Sequence, residues 1–483
     1  MIAKTFIQKT HAAIFLLFIA AYFTWCQSTP LNNLYDTEII HTVYGTDKFY
    51  KQKDITDITL NLSPFYAHTC TAKNGKSKKV PAGDRLGKWQ MLGIFFGEGA
   101  KPLSQQTPLR DFLKQELNTL FTNAGYPNFF DDNPIPNQFD PCDPNQFDAS
   151  QPSNYTNPAY FGFYDATIVN YEKYGLRGQL TFDIKSWVGV KVKSGFAEIK
   201  NKANFIVNRP APATPPATTP TTVNELNQQV ITLLLAPQER EDLAEELDLD
   251  LSGFCRSGLE DTHAQLYFNL PTKLKDSDGD LVCTFAPHFS VGGWIPTGWN
   301  SNPNKAFSVP SGNNGHRAVT IETALNFDFP KSVQTSFGAG LLIADRKVYD
   351  NYRVPSSENQ SGIIPWQTAI AIRPGITWYG NASFKAEDFI PGLSVYFDYI
   401  YTQHSKDHIT LEECNGTRQA AFIAGDGVQR LIEESCWRHQ QANISLAYRI
   451  NRNIMFGFGV QAHITGTRVY RPTTSIGTIS LTF

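Results

Sequence analysis

Beyond residue 25 this chain of 483 residues has no apolar run approaching the ~18 consecutive residues that a membrane-spanning helix needs. A bundle of transmembrane helices is therefore excluded. Charge is scarce too, with Asp, Glu, Lys and Arg at 18%, against roughly a quarter in ordinary soluble domains. The formal net charge is −3 and the pI about 6.4. Such a balance leaves no basic footprint for a phosphate backbone, which excludes nucleic acid as a partner class. No CxxC pair or Cys/His cluster is present, so no metal or other cofactor is expected. No GxSxG or comparable spacing accompanies His404, His408 and His439, and the chain does not read as an enzyme.

Aromatic residues, by contrast, reach 13%, too many for a disordered chain of such low net charge. Mean hydropathy is −0.30, so the chain is polar on average, and the order of its apolar residues carries the information. The first segment pairs Lys4 and Lys9 with the apolar stretch Ala12–Trp25 and small or polar residues at Cys26–Ser28. This is the anatomy of a secretory leader, and cleavage near Cys26 is expected. Residues 1–26 are thus assigned as signal peptide, 27–54 as an N-terminal periplasmic segment and 55–483 as the folded body. Of seven cysteines, the leader takes Cys26 and leaves an even number in an exported chain. Cys414 and Cys436 share one long loop and are the expected disulfide, if one forms.

The body alternates with period two. Val319, Ile321, Leu325 and Phe327 interleave with Thr320, Glu322, Ala324 and Asn326. Leu393, Val395, Phe397 and Tyr399 interleave with Ser394, Tyr396 and Asp398; Phe456, Phe458, Val460 and Ile464 with Gly457, Gly459, Gln461 and His463. Each run is about ten residues, the length of a tilted strand crossing a bilayer. Similar segments occur near 55–68, 89–98, 171–184, 187–199, 261–271, 281–296, 332–345, 366–379 and 443–450. Tight connections such as Asn451-Arg452 and Pro330-Lys331 alternate with long ones at 297–316, 346–365 and 403–438. A soluble β-sandwich also alternates, but its strands run five or six residues and a dozen long ones would be surplus. Trp294, Trp299, Trp366, Trp378, Tyr399, Tyr401 and Trp437 fall toward segment ends, where interfacial aromatic girdles belong.

The last segment, Thr473–Phe483, sets Ile479, Leu481 and Phe483 on one face and ends on the aromatic. It resembles the closing strand of Gram-negative outer-membrane β-barrels, which the barrel-assembly machinery recognises by a terminal Phe. That resemblance spans 55–483 at the level of architecture and implies an all-β, transmembrane antiparallel barrel exported to the outer membrane. Bacterial single-chain barrels have even strand numbers; the count points to 14, with 12 and 16 as alternatives. Two partly helical insertions interrupt it. Residues 99–160 place Leu109, Phe112, Leu113, Leu117 and Leu120 at helical spacing, and 200–260 follow a Pro-rich stretch with an acidic helical region. Asn157-Pro158-Ala159 resembles a short motif of the long-chain fatty-acid transporters. Asp276-Ser277-Asp278-Gly279-Asp280 resembles the opening of a calcium loop, but Leu281 and Pro287 stand where its glycine and bidentate glutamate belong.

In such a barrel the apolar alternates face lipid and the polar ones face the lumen. The candidate pore-lining residues are Arg177, Asp183, Glu322, Asp328, Arg373, Asp398 and Arg449, with Gln179, His263, His288 and His463 beside them. Opposed acidic and basic groups along a water-filled pore make it selective. The expected function is a porin-like channel for passive diffusion of small hydrophilic solutes. The alternatives are a plugged transporter for hydrophobic solutes and a non-channel surface or adhesion barrel. Outer-membrane lipids, the assembly machinery and small solutes are the expected partners, and a homo-oligomer is compatible with the pattern.

Overall fold

The computed structural model describes residues 57–84, 89–90, 163–185, 187–208, 252–305, 307–330, 333–353, 367–412 and 428–483, with isolated positions 115, 119 and 250. Twelve strands form the wall. They are β1 (Asp57–Thr69), β2 (Phe163–Lys185), β3 (Val188–Asn208), β4 (Thr262–Asn269), β5 (Leu281–Ile295) and β6 (Ala318–Phe329), followed by β7 (Val333–Ala344), β8 (Thr377–Ile390), β9 (Leu393–His404), β10 (Trp437–Arg449), β11 (Ile454–Thr467) and β12 (Thr473–Thr482). Each pairs antiparallel with its neighbours in sequence, and β1 pairs with β12, so the sheet closes on itself. At that seam Leu60 faces Leu481 and Leu62 faces Ile479. The seam ends where Ile58 and Phe483 exchange both backbone hydrogen bonds, at 3.3 and 2.9 Å.

The barrel therefore has 12 strands, the lower of the two alternatives to 14. With the closing strand thirteen segments alternate, and evenness raises the expectation to 14; of the 89–98 segment only Trp89-Gln90 is described, a short pairing with Tyr164 and Phe163 at the end of β2 and not a strand of the ring. The segment at 366–379 divides at Pro374-Gly375-Ile376: Gln367–Arg373 lies outside the wall, and β8 begins at Thr377. β2 is one unbroken strand through Glu172–Gly175. Period two marks a strand but not the sheet it joins. The described edges of the second insertion are also strand, since β3 runs to Asn208 and Phe254–Leu259 pairs with it. Of the 99–160 insertion, Gln115 and Thr119 are helical, with the Thr119 hydroxyl donating to the Gln115 carbonyl at 2.9 Å. The rest of that insertion, and the acidic helix expected in 200–260, lie outside the described residues.

The two rims differ. One carries the short connections between β2 and β3 and between β6 and β7, the turns at Pro391-Gly392 and Ile450–Asn453, and also the outer ends of β1 and β12. Gly392 has φ +80°, as the third residue of a type II turn requires after proline. The opposite rim carries the long connections. There three strands, Lys347–Arg353, Gln367–Arg373 and His408–Leu411, form a separate sheet against helix α1, Val428–Ser435. Tyr352, Ile370, Ile372, Ile409 and Leu431 make its apolar core.

The wall is apolar outside and polar inside. On β10, Ile444, Leu446 and Tyr448 are exposed outward, while His439, Gln441 and Asn443 are buried inward. The same division holds on β11, where Phe456, Phe458 and Ile464 are exposed and Gln461 is buried. Soluble monomers do not expose a continuous apolar belt of this kind; it is the surface of a barrel whose surrounding solvent is lipid. The aromatic ring of the belt is partly other than expected. Trp378, Trp187, Tyr66 and Phe483 do point outward, but Trp294, Trp299 and Trp437 are buried. Trp366 lies outside the described residues.

A charge placed on the belt should be costly in proportion to depth. Ile444→Arg, near the middle of β10, should lower unfolding free energy by about 2–4 kcal/mol. Arg452→Ala, in an exposed turn, should change it by less than about 0.5 kcal/mol. Denaturant unfolding of the purified barrel reads both.

The polar lumen and its rim as candidate functional site

The inward positions of β2, β6 and β9 hold most of the candidate residues, and their placement follows from strand alternation. Arg177 is buried, and its Nε and Nη2 each donate to Glu260 at 2.8 Å. Asp183, six residues nearer the short-turn rim, accepts from the Tyr267 hydroxyl. Glu322 accepts from Gln265 Nε2 at 2.6 Å and from the Ser290 hydroxyl at 3.2 Å, and the Tyr379 hydroxyl lies against it. Asp328, on the same face of β6, is bonded by Gln334. Asp398 is wholly buried on β9; it accepts from Asn381 Nδ2 at 3.2 Å and Asn443 Nδ2 at 3.1 Å. Arg449 sits at the short-turn rim, 3.2 Å from Asp388. Arg373 ends a strand of the outer sheet, exposed and opposite His408, and does not line the barrel wall. The sequence pattern could not reveal this, because its strand alternates like the rest. The structure thus distributes these residues over several local networks rather than gathering them into one cluster.

Pattern reading missed the basic side chains of the adjoining wall. Lys173 on β2 and Lys191 and Lys193 on β3 share inward positions with Arg177, between outward residues such as Leu176 and Val192. Three aromatic rings line them. The Arg177 guanidinium lies 3.7 Å from the Phe65 ring centre, Lys193 Nζ 4.9 Å from Trp294 and Lys191 Nζ 6.0 Å from Tyr267. Such contacts favour the cation where water is excluded. A signal was available: the runs Lys191-Val192-Lys193 and Lys173 to Arg177 keep charge strictly on alternate positions.

Glu260 reaches this wall through a β-bulge. Leu259 pairs with Phe196 and His263 with Lys193, so three residues at the junction of the strand Phe254–Leu259 with β4 oppose two of β3. The Glu260 amide donates to the Gly195 carbonyl at 2.8 Å. A bulge inserts one residue and re-aims the side chains around it. Glu260 consequently turns into the lumen, against Arg177 and Lys173, whose Nζ is 2.6 Å from Oε1. Its neighbour Asp261 turns to the rim and accepts the amides of Gly298 at 3.0 Å and Asn313 at 2.5 Å. Burial pushes the Asp261 carboxyl up, opposed by those two amides. Adjacent acids in an alternating strand were the sequence sign of this break.

Asp261 anchors the loop 296–317, which packs around buried Trp299 and Phe307 and ends at His316. His316 Nδ1 lies 2.9 Å from the Asp345 carbonyl and Nε2 2.9 Å from the Tyr349 hydroxyl. Tyr349 also donates to the Asn314 carbonyl at 2.8 Å. Burial pushes the imidazole down to about 4, and the Tyr349 hydroxyl up. Lys347, which donates to the same Asn314 carbonyl at 3.1 Å, is lowered by burial. The loop thereby joins the barrel to the outer sheet.

Other candidates can be placed. His439 and His463 stack inside the lumen with ring centres 4.9 Å apart. His263 stacks on Trp294 and meets Thr320 at 2.8 Å. Cys436 follows α1, its Sγ 3.1 Å from Arg468; Cys414 lies outside the described residues. In the 276–280 turn Asp276 Oδ1 accepts the amides of Asp278 and Asp280, closing the turn on itself. Among the described residues no group of three or more His, Cys, Asp or Glu is placed to hold a metal. Asn157–Ala159 lies outside the described residues. Ile479 and Phe483 are exposed on the outer face of the closing strand, and Leu481 is half-buried there.

No protein-family model matches the chain. No curated protein matches its sequence either. Solved structures that resemble it include an outer-membrane channel from Pseudomonas putida F1, at 7% identity and TM-score 0.46, covering 92% of this chain and 100% of that one. OprD from Pseudomonas aeruginosa matches at 8% identity and TM-score 0.25, covering 65% and 77%. The translocator domain of the autotransporter NalP from Neisseria meningitidis matches at 7% and 0.31, covering 89% and 90%. At such identities and scores none of them carries a substrate or a residue role over to this chain.

The rim should loosen in acid. His316 has its pKa depressed in the folded state, so its contribution is present above about 6.5 and is lost as pH falls toward about 4. Asp261 acts in the opposite sense, because burial disfavours its charged form. Amide exchange of loop 296–317, corrected for intrinsic rates, should therefore rise between those pH values in the native protein. In His316→Gln the rise should be absent.

Proposed function

We propose that this protein is an outer-membrane channel that passes small hydrophilic solutes by diffusion through its lumen. The observation that carries the reading is the inward face itself. Arg177, Asp183, Glu322 and Asp398 lie within a wall whose outer face is apolar. Ionised groups are retained on a barrel interior at considerable desolvation cost, and a polar passage gives them a use. The short-turn rim would then face the periplasm and the long-loop rim the exterior. Export by a cleaved leader, recognition of Ile479, Leu481 and Phe483 by the assembly machinery, and a Gram-negative-type envelope belong to the same reading.

A transporter for hydrophobic solutes would favour an apolar inner face. Phe65, Ala197 and Ile476 form one small apolar cluster there, amid the polar side chains. A non-channel surface barrel draws some support from the packed outer sheet and α1. The inner side chains of the wall are well covered, Asp398 completely, which favours a resting lumen closed to bulk water at that level. Conduction would then come in discrete openings.

Planar-bilayer recording decides between these readings. Purified, folded barrel should give stepwise ionic conductance, and Asp398→Asn should alter the step size or open fraction. A folded barrel with no conductance at any voltage would refute the channel and leave the surface role.

A further inference from the structure

The formal net charge of −3 hides a local excess of cations at the long-loop rim. Residues 66–81, 437–443 and 463–474 contain no Asp or Glu. The first stretch carries Lys73, Lys76, Lys78 and Lys79, and the other two carry Arg438, Arg468 and Arg471. The fold brings the three together where the wall closes. Beyond β1 the chain forms a short hairpin, Thr71–Lys73 with Lys79–Pro81, and Val469–Tyr470 from the β11–β12 connection pairs with its first strand. Arg438 on β10 stands opposite Thr467, and its Nη2 donates to the Thr467 hydroxyl at 3.4 Å.

The platform is ordered by its own bonds. Asn74 Oδ1 accepts the amides of Lys76 and Lys78 at 3.0 Å each, which fixes the hairpin tip. The Arg468 amide donates to the Asn74 carbonyl at 3.2 Å and the Arg471 amide to the Thr71 carbonyl at 3.0 Å. The Ser77 and Thr467 hydroxyls meet at 2.7 Å. Backbone, amide and hydroxyl groups make these bonds, while Lys76, Lys78 and Lys79 are exposed. Arg438 is exposed on the same face of β10 as Ile444 and Leu446, and Tyr66 and Ile464 are exposed on the outer face of β1 and β11. The cations therefore stand at the margin of the apolar belt, where hydrocarbon gives way to headgroups. There a long basic side chain keeps its stem on apolar surface and its charge in the polar layer. On the adjoining strand β2 the outward acid Glu172 stands between His68 and Lys200, which marks the limit of the patch.

We propose that this basic rim is a docking surface for the phosphate groups of anionic lipid headgroups in the surrounding leaflet. The inference rests on the membrane-barrel reading of the belt and not on conduction. Lysines and arginines beside an anionic leaflet each gain electrostatic attraction, and arginine adds a planar fork that matches phosphate oxygens. A soluble anion on its way through the lumen would have no use for Arg438, which faces away from it. A phosphate in the headgroup layer meets Arg438 and the hairpin lysines together.

Melting of the full-length barrel in neutral detergent, followed by loss of its compact gel band on heating, tests the surface. Diphosphorylated lipid A doped into the micelles is the probe. It should raise the midpoint in a saturable way, by mass action, and added sodium chloride should weaken the effect by screening. Lys76→Gln/Lys78→Gln should need roughly 30-fold more lipid for half of the rise, about fivefold for each lysine. Lys273→Gln/Lys275→Gln removes the same charge from the exposed strand Thr272–Lys275 at the opposite rim and should respond as wild type. If the first double variant does not fold, Arg438→Gln carries the comparison, with about a fivefold weakening. Inorganic phosphate at equal ionic strength and the net-neutral lipid phosphatidylcholine should give no saturable rise. An equal rise with inorganic phosphate would overturn lipid docking in favour of a soluble anion, and an equal rise with phosphatidylcholine would reduce it to a general lipid effect. No rise with lipid A, or equal weakening in both double variants, would also overturn it. Conductance is read separately: a lipid A effect in a non-conducting barrel would uphold the surface and refute the channel, and conductance without a lipid A effect would do the reverse.

Discussion

In hydrocarbon no water can satisfy an open sheet edge, so every backbone amide and carbonyl of a spanning strand must find a partner in the next strand. In this protein that constraint is met at the seam between β1 and β12, where strands more than 400 positions apart in the chain pair from Thr59–Thr482 to His68–Thr473. Much else follows from closure. An up-and-down ring joining first strand to last must have an even count, and both strand ends must emerge on one rim. Once lipid takes the apolar face of each strand, the polar alternates are forced together inside.

Confinement then sets the chemistry of the interior. Charges that water would screen on a soluble surface must here be answered by neighbours on the wall. Asp398 is met by two asparagine amides, Glu322 by a glutamine amide and a serine hydroxyl, and Arg177 by Glu260. The first two are held by strands in regular register. The third depends on a bulge, which gains an inward carboxylate at the expense of two ladder positions. The adjacent Asp261 uses the same break to hold the rim loop, so one irregularity ties lumen to rim.

The rims diverge because the short turns have no residues to spare for anything but reversal, whereas the long connections can build structure of their own. His316, Tyr349 and Lys347 meet at the Asn314 carbonyl or beside it, and α1 seals the apolar side of the small sheet through Leu431. The result is a layer with its own core, separate from the lipid-facing belt and the lumen.

The strands and the face that each side chain takes could be read from alternation, because a period of two assigns every residue to one of two faces whatever the sheet's partners are; strand length and the closing strand ending on Phe483 pointed to a barrel. The placement of Glu322, Asp328 and Asp398 on one inner surface follows from that rule. Partnership was not legible. Arg373 alternates like a wall residue but belongs to the outer sheet; Trp294 and Trp437 resemble interfacial anchors but turn inward or pack under the rim. Glu260 reads as one acid in a polar stretch until the register with β3 shows the extra residue. Local periodicity determines which face a side chain takes, and the sequence of this protein carries it plainly. Which strands meet, how many close the ring and where a bulge falls depend on contacts between distant segments, and those only the closed barrel decided.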